Sequence, residues 1–256
     1  MNYRAICLDA AKLIEKGHSL VLVHGGSAEA NALSIALNYP ARFIQSPSGY
    51  TSRYTDPRTL EIFTMAVNGR LNTHLVAMLQ GMCVNALGLS GPDGRLIMAD
   101  RKEAIQSLEN GKRKVIRDDY SGKITQVNKD LLLTLLENHF TPVIAPLALS
   151  PNGEILNVDA DRAAAKVASA LNSDNLVLLT AVPGLLGAYP DESSLIRHLS
   201  RSQLDQAISM AEGRMKKKVL GAQEALDGGV SRVYIADGRT ENPISSALSG
   251  AGTLIA

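Results

Sequence analysis

The chain has 256 residues, of which 45% are hydrophobic, 20% charged and 4% aromatic, and its formal net charge is +1. This composition is typical of a soluble globular protein with a sizeable core, and it argues against a disordered chain or one built mainly to bind nucleic acid. The longest apolar runs fall far short of the roughly 18 to 20 residues that a membrane span needs. We therefore expect a cytoplasmic protein with no membrane span.

The two cysteines, Cys7 and Cys83, are far apart and have neither a CxxC spacing nor companion histidines nearby. A disulfide framework and a zinc site are both disfavoured, and the five histidines show no spacing typical of metal ligands. We expect both thiols to be small buried hydrophobic groups and predict no metal site formed by side chains.

The first third of the chain predicts helices around one short strand. Apolar residues at helical spacing predict a helix over residues 3–16 that ends at Gly17. A strand over residues 19–23, a second helix that reaches residue 37 and a loop over residues 45–53 follow. Thr55-Asp56-Pro57 supplies an N-cap and a first-turn proline for a long helix. Its apolar stripe is Leu60, Phe63, Val67, Leu71, Leu75 and Leu79.

The rest of the chain predicts regular alternation of strands and helices. A buried strand over 83–89 and a turn over 91–94 precede short hairpins between residues 95 and 124. The elements that follow are helix 128–138, strand 141–147, helix 160–171, strand 175–181, helix 211–226 and strand 232–236. This order predicts an α/β fold, a three-layer αβα sandwich around a largely parallel sheet. No linker is visible, so we expect one domain over residues 1–256.

The segment from Ser19 to Asn31 is the most informative, because an apolar strand ends in two glycines and a helix follows at once. Glycines let backbone N–H groups converge on a ligand, and the helix N-terminus adds unpaired donors and the positive end of a dipole. The junction predicts a phosphate site at Gly25 and Gly26. An ordinary tight turn between strand and helix is the alternative from these residues alone.

Other motifs narrow the chemistry. The sequence has no GxxxxGK followed by Ser or Thr, no GxGxxG and no GxSxG. A P-loop, a standard dinucleotide fold and a serine hydrolase are therefore not supported. His24 stands beside the glycines as a candidate base, although a single histidine at a strand end is more often structural.

Several charged residues are candidates for handling phosphate or carboxylate. Asp159 and Asp161 lie where a helix begins, either as N-cap and first-turn residues or as groups that orient a cation or Mg²⁺. The run Lys216–Lys218 fans over about 200° of a helix, so at most two of its lysines can face a cleft. Arg53, in the predicted loop, is suited to clamping a carboxylate with two hydrogen bonds, although a single loop arginine is usually solvated.

Six motifs, taken in chain order, resemble the amino acid kinase family and its acetylglutamate kinase branch. They are Val23-His-Gly-Gly26, Arg53-Tyr-Thr-Asp56, Gly88-Leu-Ser-Gly91-Pro-Asp-Gly94, Asn157 with Asp161, Val182-Pro-Gly-Leu-Leu186 and Gly213-x-Met-x-x-Lys218. Residues 25–29, 185–192 and 213–219 look most like the subgroup that acts on aminoadipate or glutamate attached to an acidic amino-group carrier protein. The resemblance implies a carbamate kinase-like fold, with a substrate-binding lobe over about residues 1–150 and a nucleotide-binding lobe over about residues 151–256.

The resemblance implies transfer of the ATP γ-phosphoryl group, with Mg²⁺, to a side-chain carboxylate, giving an acyl phosphate in lysine or arginine biosynthesis. Such a carboxylate is ionised at pH 7, so no general base is needed. The implied catalytic residues are Gly25, Gly26, Asp161 and Lys218, and the implied substrate-binding residues are Gly25, Gly26, Arg53 and Asn157. The implied nucleotide-binding residues are Thr180, Val182, Gly184, Leu185, Tyr189, Met215 and Lys218. A homodimer formed through the long helix over 57–79 is also implied.

Two departures from the family pattern leave alternatives open. Relatives begin with a strand ending in Lys-x-Gly-Gly, which this sequence does not contain, and they carry Asp or Asn where this chain has Ala181. The missing Lys-x-Gly-Gly strand leaves open a catalytically silent, ligand-binding relative, and Ala181 affects the expected nucleotide contacts at that position. An N-acetylglutamate kinase of arginine biosynthesis is a further alternative.

The predicted hairpins contain five cations, which the resemblance places over the substrate mouth. They are Lys112, Arg113, Lys114, Arg117 and Lys123. Such runs are usually solvated faces. With an acidic carrier as partner, the patch at Lys112, Arg113, Lys114 and Arg117 would steer docking and make it sensitive to salt.

Overall fold

Alternating helices and strands build the fold, as the sequence pattern predicts. The computed structural model describes residues 1–47, 49, 51–109, 112–211 and 213–256. Its helices are α1 (Tyr3–Glu15), α2 (Ser27–Ala36), α3 (Pro57–Thr64), α4 (Thr73–Gln80), α5 (Lys129–Glu137), α6 (Ala160–Ala170), α7 (Leu204–Met210), α8 (Gly213–Asp227) and α9 (Pro243–Leu248). A π-helical segment, Met65–Asn72, joins α3 to α4.

The strands are short, and most of them lie between helices. They are β1 (Leu22–Val23), β2 (Phe43–Gln45), β3 (Thr51–Arg53), β4 (Ala86–Ser90), β5 (Ile97–Arg101), β6 (Ile105–Glu109), β7 (Lys112–Ile116), β8 (Gly122–Val127), β9 (Thr141–Ala145), β10 (Leu147–Leu149), β11 (Ile155–Asn157), β12 (Asn175–Thr180), β13 (His198–Leu199), β14 (Arg232–Asp237) and β15 (Thr253–Ile255).

The larger sheets contain the parallel pairs that the alternation predicts. Strands β1 and β4 both run parallel to β9, in the order β1-β9-β4. A second sheet has the order β12-β14-β15-β13, with β12 parallel to β14. A mixed sheet, β11-β10-β5-β8, continues the chain from β9, and β2–β3 and β6–β7 are antiparallel hairpins. The prediction of an α/β fold with a largely parallel sheet is confirmed.

The sheet around β9 has helices on both faces. Val143 packs with Cys7 of α1 and Leu79 of α4 on one face. The next residue, Ile144, packs on the other face with Leu132 of α5 and Val167 of α6. Because successive strand residues point to opposite faces, both must be apolar, and every residue of β9 is buried. The three-layer arrangement follows from this.

Helix α6 connects the two large sheets. Its Ala163 and Val167 belong to the core around β9 and β10, whereas its Ala165 and Ala168 pack in the core around β12 and β14. Helix α6 therefore packs against both cores. The division into substrate and nucleotide lobes stays a prediction.

The long helix begins as predicted but is not α-helical throughout. Asp56 caps α3 by accepting a hydrogen bond from the Thr59 N–H at 2.7 Å, and Pro57 occupies the first turn. The predicted stripe is buried from Phe63 onward, while Leu60 is half-buried. The π-helical turns of Met65–Asn72 shift the residues after them around the helix axis. A homodimer through this helix stays a prediction.

Some local expectations are wrong. The sequence predicts a loop over residues 45–53, but β2 and β3 pair there as an antiparallel hairpin. Strands of only three residues are too short to show an alternating pattern in the sequence. Cys83 is exposed rather than buried, since it lies in the turn after α4 with φ 61°, and the next strand begins only at Ala86. Cys7 is buried as expected. Of the helices in the described ranges, none has the length and apolar character that a membrane crossing requires.

Candidate active site

The glycine loop follows β1 at the carboxyl end of the central sheet. His24 keeps the chain beside β9 by donating its N–H to the Ile144 carbonyl at 3.1 Å. Gly26 then caps α2 with φ 150° and, as a glycine, has no side chain with which to bond the first N–H groups of the helix. A Cβ on Gly26 would lie 2.5 Å from Val67 Cγ1, whereas a Cβ on Gly25 would meet nothing within 4 Å. A glycine is thus required at position 26 by the backbone conformation and by the contact with Val67. At position 25 the absence of a side chain leaves open space next to the N-terminus of α2.

A second helix N-terminus lies beside this loop. Tyr3, the first residue of α1, donates its hydroxyl to Glu29 Oε1 in the first turn of α2 at 3.2 Å. Burial, together with the charge of Glu29, raises the pKa of Tyr3 to about 12, so the hydroxyl keeps its proton. The first turns of α1 and α2 are therefore in contact through their side chains at this end of the sheet. No local sequence pattern indicates this contact, because Tyr3 and Glu29 are 26 positions apart.

Arg53 lies at the first turns of α2. Its Nη2 donates to Asn31 Oδ1 at 2.6 Å and to the Ser27 carbonyl at 3.4 Å. The guanidinium also stacks near the rings of Phe43 and Phe63, at 5.3 and 5.8 Å from their centroids. The structure thus brings Arg53 to the glycine loop and fixes its orientation, which a solvated loop arginine would not have.

Asn157 is joined to Arg53 through a residue that the sequence did not single out for the site. Asn157 Nδ2 donates to Thr55 Oγ1 at 3.0 Å, and Thr55 Oγ1 donates to the Arg53 carbonyl at 3.3 Å. The Thr55 N–H in turn donates to Asp119 Oδ2 at 2.9 Å. Thr55 and Asp119 are fully buried. Two residues 104 positions apart are therefore held in a fixed relation by a buried hydrogen-bond network.

An ion pair stands at the start of α6. Lys218 Nζ donates to Asp161 Oδ1 at 2.7 Å, and both side chains are mostly buried. Burial raises the pKa of Asp161, and the adjacent Lys218 opposes that rise. Lys217 Nζ lies 3.7 Å from Asp159 Oδ2. Two of the three lysines in Lys216–Lys218 therefore face α6, as the helical spacing allows.

Asp159 has the structural role that its position predicts. Its Oδ1 accepts hydrogen bonds from the N–H groups of Asp161 and Arg162, at 3.1 and 3.2 Å. Asp159 is the N-cap of α6, whereas Asp161, in the first turn, uses its carboxylate to hold a lysine. The two aspartates therefore differ in function although they are only two residues apart.

The candidate nucleotide-binding residues are spread over several environments. Thr180 ends β12, and its carbonyl accepts the Gly238 N–H at 2.8 Å, next to the end of β14. Met215 is half-buried against the core around α8. Leu185 is buried, with its N–H donated to Thr253 Oγ1 at 2.9 Å, whereas Tyr189 is 80% exposed. Their contacts with a nucleotide stay a prediction.

Gly184 and Val182 flank this segment. A Cβ on Gly184 would lie 2.7 Å from both Leu195 Cδ1 and Thr253 Oγ1, so close packing explains this glycine without a ligand. Val182 is half-buried. A nucleotide role for either residue also stays a prediction.

Fold and site together define an α/β phosphotransferase, with helix N-termini that can hold phosphate and a lysine that can neutralise its charge. The chain belongs to the amino acid kinase family, whose sequence profile matches residues 2–237. This confirms the resemblance seen in the six ordered motifs.

Individual relatives agree with this assignment. The chain is 50% identical over 255 residues to the "[LysW]-aminoadipate kinase" of Deinococcus radiodurans, covering 100% of this chain and 87% of the relative. It is also 50% identical to the "[LysW]-aminoadipate kinase" of Thermus thermophilus, covering 100% and 96%. Carbamate kinase from Giardia lamblia bound to AMP-PNP, at 17% identity, superimposes with a TM-score of 0.65 over 97% of this chain and 88% of that chain. That similarity confirms the carbamate kinase-like fold.

Proposed function

We propose that the chain transfers the γ-phosphoryl group of ATP to the side-chain carboxylate of aminoadipate or glutamate whose amino group is attached to a carrier protein. One observation carries the proposal: Arg53 lies against the first turns of α2 beside the glycine loop, and its carbonyl is connected to Asn157 through Thr55. The two relatives at 50% identity over the whole chain, both bearing the name of such a kinase, support the choice of substrate.

The chemistry requires positioning and charge neutralisation. A carboxylate oxygen of the substrate bonds to the γ-phosphorus while the bond to the β–γ bridging oxygen breaks, which yields an acyl phosphate and ADP. The attacking carboxylate is already ionised at pH 7, so no proton has to be removed. The N–H groups of Gly25 and Gly26 and the α2 dipole stabilise the transferring phosphoryl group. Lys218, held by Asp161, neutralises charge on ATP.

The remaining polar groups hold the substrate. Arg53, held beside α2 by Asn31, binds its free backbone carboxylate, and Asn157, held by Thr55, binds its blocked amine. Mg²⁺ would enter the site on the phosphate oxygens of the nucleotide, which are ligands that it prefers, and would neutralise their charge there.

The experiment that tests the proposal measures ADP release with three acceptors: carrier-linked aminoadipate, carrier-linked glutamate and free N-acetylglutamate. We expect the highest kcat/KM with a carrier-linked acceptor. A preference for N-acetylglutamate would identify an acetylglutamate kinase instead. ADP release with none of the three, from a folded protein that binds ATP, would identify a silent ligand-binding relative.

Removing the Thr55 hydroxyl is expected to loosen the substrate site. Thr55→Val preserves shape but leaves Asn157 Nδ2 without its acceptor, so KM for the acceptor should rise about tenfold, equivalent to about 1.4 kcal/mol. Steady-state kinetics with varied acceptor and saturating ATP measures this. Thr55→Ser keeps the hydroxyl and is the matched control. Equal KM values for the two variants would contradict a positioning role for this hydroxyl.

The hairpin formed by β6 and β7, here called the basic hairpin, packs against the β2–β3 hairpin that carries Arg53. Strand β6 packs against β2 through a small core of Ile44, Tyr54, Ile105 and Ile116, and β3, the partner of β2, ends at Arg53. Arg113, Lys114 and Arg117 are exposed on this hairpin or directly after it. The side chain of Lys112 lies outside the described residues. We propose that the three described cations dock the carrier through opposite charge.

Reversing charge on the hairpin should weaken carrier docking. For Arg113→Glu combined with Arg117→Glu, we expect kcat/KM for the carrier-linked substrate to fall about tenfold or more at low salt. The effect should shrink as salt is added, because surface charges are screened. Arg232→Glu, an exposed reversal at the start of β14 and away from the site, is the control. An equal loss in the control, or a loss independent of salt, would count against docking at the hairpin.

A further inference from the structure

We propose that His24 is a positioning residue: held by Asn72, it orients the peptide between Gly25 and Gly26 toward the transferring phosphoryl group. The inference rests on the proposed phosphoryl transfer and deepens it. It assigns a role to the π-helical segment and to a buried titratable group that the chemistry above does not use.

The contacts of the His24 ring determine which nitrogen carries the proton. His24 and Asn72 are both buried, and Asn72 Nδ2 donates to the Val143 carbonyl at 2.9 Å. The same amide nitrogen lies 3.0 Å from His24 Nε2. Because an amide NH₂ can only donate, Nε2 must be an acceptor, and the proton is on Nδ1. His24 Nδ1 then donates to the Gly25 carbonyl, 2.7 Å away.

This arrangement does not fit a general base. Both ring nitrogens are used inside the protein, one toward Asn72 and one toward the Gly25 carbonyl. Burial lowers the pKa of His24, which favours the neutral ring that these two contacts require. His24, which the sequence offers as a candidate base, is thus a hydrogen-bond donor to the backbone.

The hydrogen bond to Gly25 fixes a catalytic donor. The carbonyl of Gly25 and the N–H of Gly26 belong to one planar peptide and point in opposite directions. Holding the carbonyl toward His24 therefore directs the Gly26 N–H away from the imidazole ring. A glycine pair has little steric resistance to rotation of this peptide, and nothing lies within 4 Å of a Cβ on Gly25. His24 supplies the constraint that the glycines lack.

The π-helical segment sets the position of Asn72. A Cβ on Gly88 would lie only 2.2 Å from Asn72 Oδ1, so the amide is pressed against β4 at a glycine of the Gly88–Gly94 motif. Val67 of the same segment limits the space above Gly26. One irregular helical segment therefore contacts the loop at Gly26 directly and at Gly25 through His24. Segments of π-helix occur frequently at functional sites.

Two substitutions at one position separate the two hydrogen bonds of the ring. In His24→Asn, the amide nitrogen lies near the place of Nδ1 and can still donate to the Gly25 carbonyl, but the side chain is too short to meet Asn72. In His24→Gln, the amide oxygen reaches the place of Nε2 and can accept from Asn72, but no donor remains for Gly25. We expect His24→Asn to keep kcat within a few-fold. His24→Gln should lose about 10- to 100-fold in kcat with KM for ATP nearly unchanged, since a mispositioned N–H stabilises the transition state poorly.

Three results would overturn the proposal. One is His24→Gln matching or exceeding His24→Asn in kcat. Another is equal loss of kcat in both variants in parallel with equal loss of Tm, which would make the ring a purely structural group. The third is an Nε2-protonated ring by ¹⁵N NMR of the histidines. The NMR measurement needs no turnover, so it tests the His24 assignment even when wild-type protein releases no ADP, which would refute the proposed function alone.

Discussion

Replacing Lys218 by methionine is expected to lower kcat about 10²- to 10³-fold, the loss typical when one preorganised group that stabilises transition-state charge is removed. Lys218 is mostly buried and contacts Asp161 at 2.7 Å, so its ammonium is held in place before ATP binds. Methionine has a similar length and flexibility but no charge. KM for the carboxylate acceptor should change little, because the acceptor is bound by residues at α2.

The neighbouring lysine provides the matched control. Lys217→Met removes the same charge from the same helix, but Lys217 lies 3.7 Å from Asp159, whose carboxylate serves mainly to cap α6. Its kcat should stay within a few-fold of wild type. ADP release at saturating ATP, with Tm measured for each variant, distinguishes catalysis from folding. A kcat loss of equal size in both variants would indicate general electrostatic attraction rather than a role specific to Lys218.

The parts of the site that the sequence predicted are those encoded by neighbouring residues. The glycine loop, the Asp56 and Asp159 caps and the Lys217–Lys218 face each depend on a few consecutive positions whose geometry is set by helix or turn rules. The same local periodicity predicted most of the longer helices and strands in their order, but not short elements such as α7, α9, β13 and β15. These features required no knowledge of which distant segments meet.

The parts that the sequence did not predict are contacts between distant residues. By sequence Thr55 is an ordinary residue before an N-cap, yet its hydroxyl connects Arg53 to Asn157, which lies 102 positions after Thr55. His24 and Asn72 are 48 positions apart, and Asn72 is the last residue of the π-helical segment. No periodicity encodes such a pairing, because it depends on how finished elements pack. Gly88 is a further example. A Cβ cannot be accommodated at this position because Asn72 lies against it, and the sequence alone does not show that contact.

Gly26→Ala is expected to destabilise the protein by about 2 to 5 kcal/mol, because two separate costs add. The backbone at Gly26 has φ 150°, which a residue with a Cβ rarely adopts, and the new methyl would lie 2.5 Å from Val67 Cγ1. Urea unfolding at constant m-value measures the loss.

Gly25→Ala is the matched control. Its Cβ meets nothing within 4 Å, so Tm should be nearly unchanged. The methyl group would, however, occupy the space proposed for phosphate, so kcat should fall. Equal stability of the two variants would contradict the strained geometry at Gly26, and full activity of Gly25→Ala would place the phosphate elsewhere.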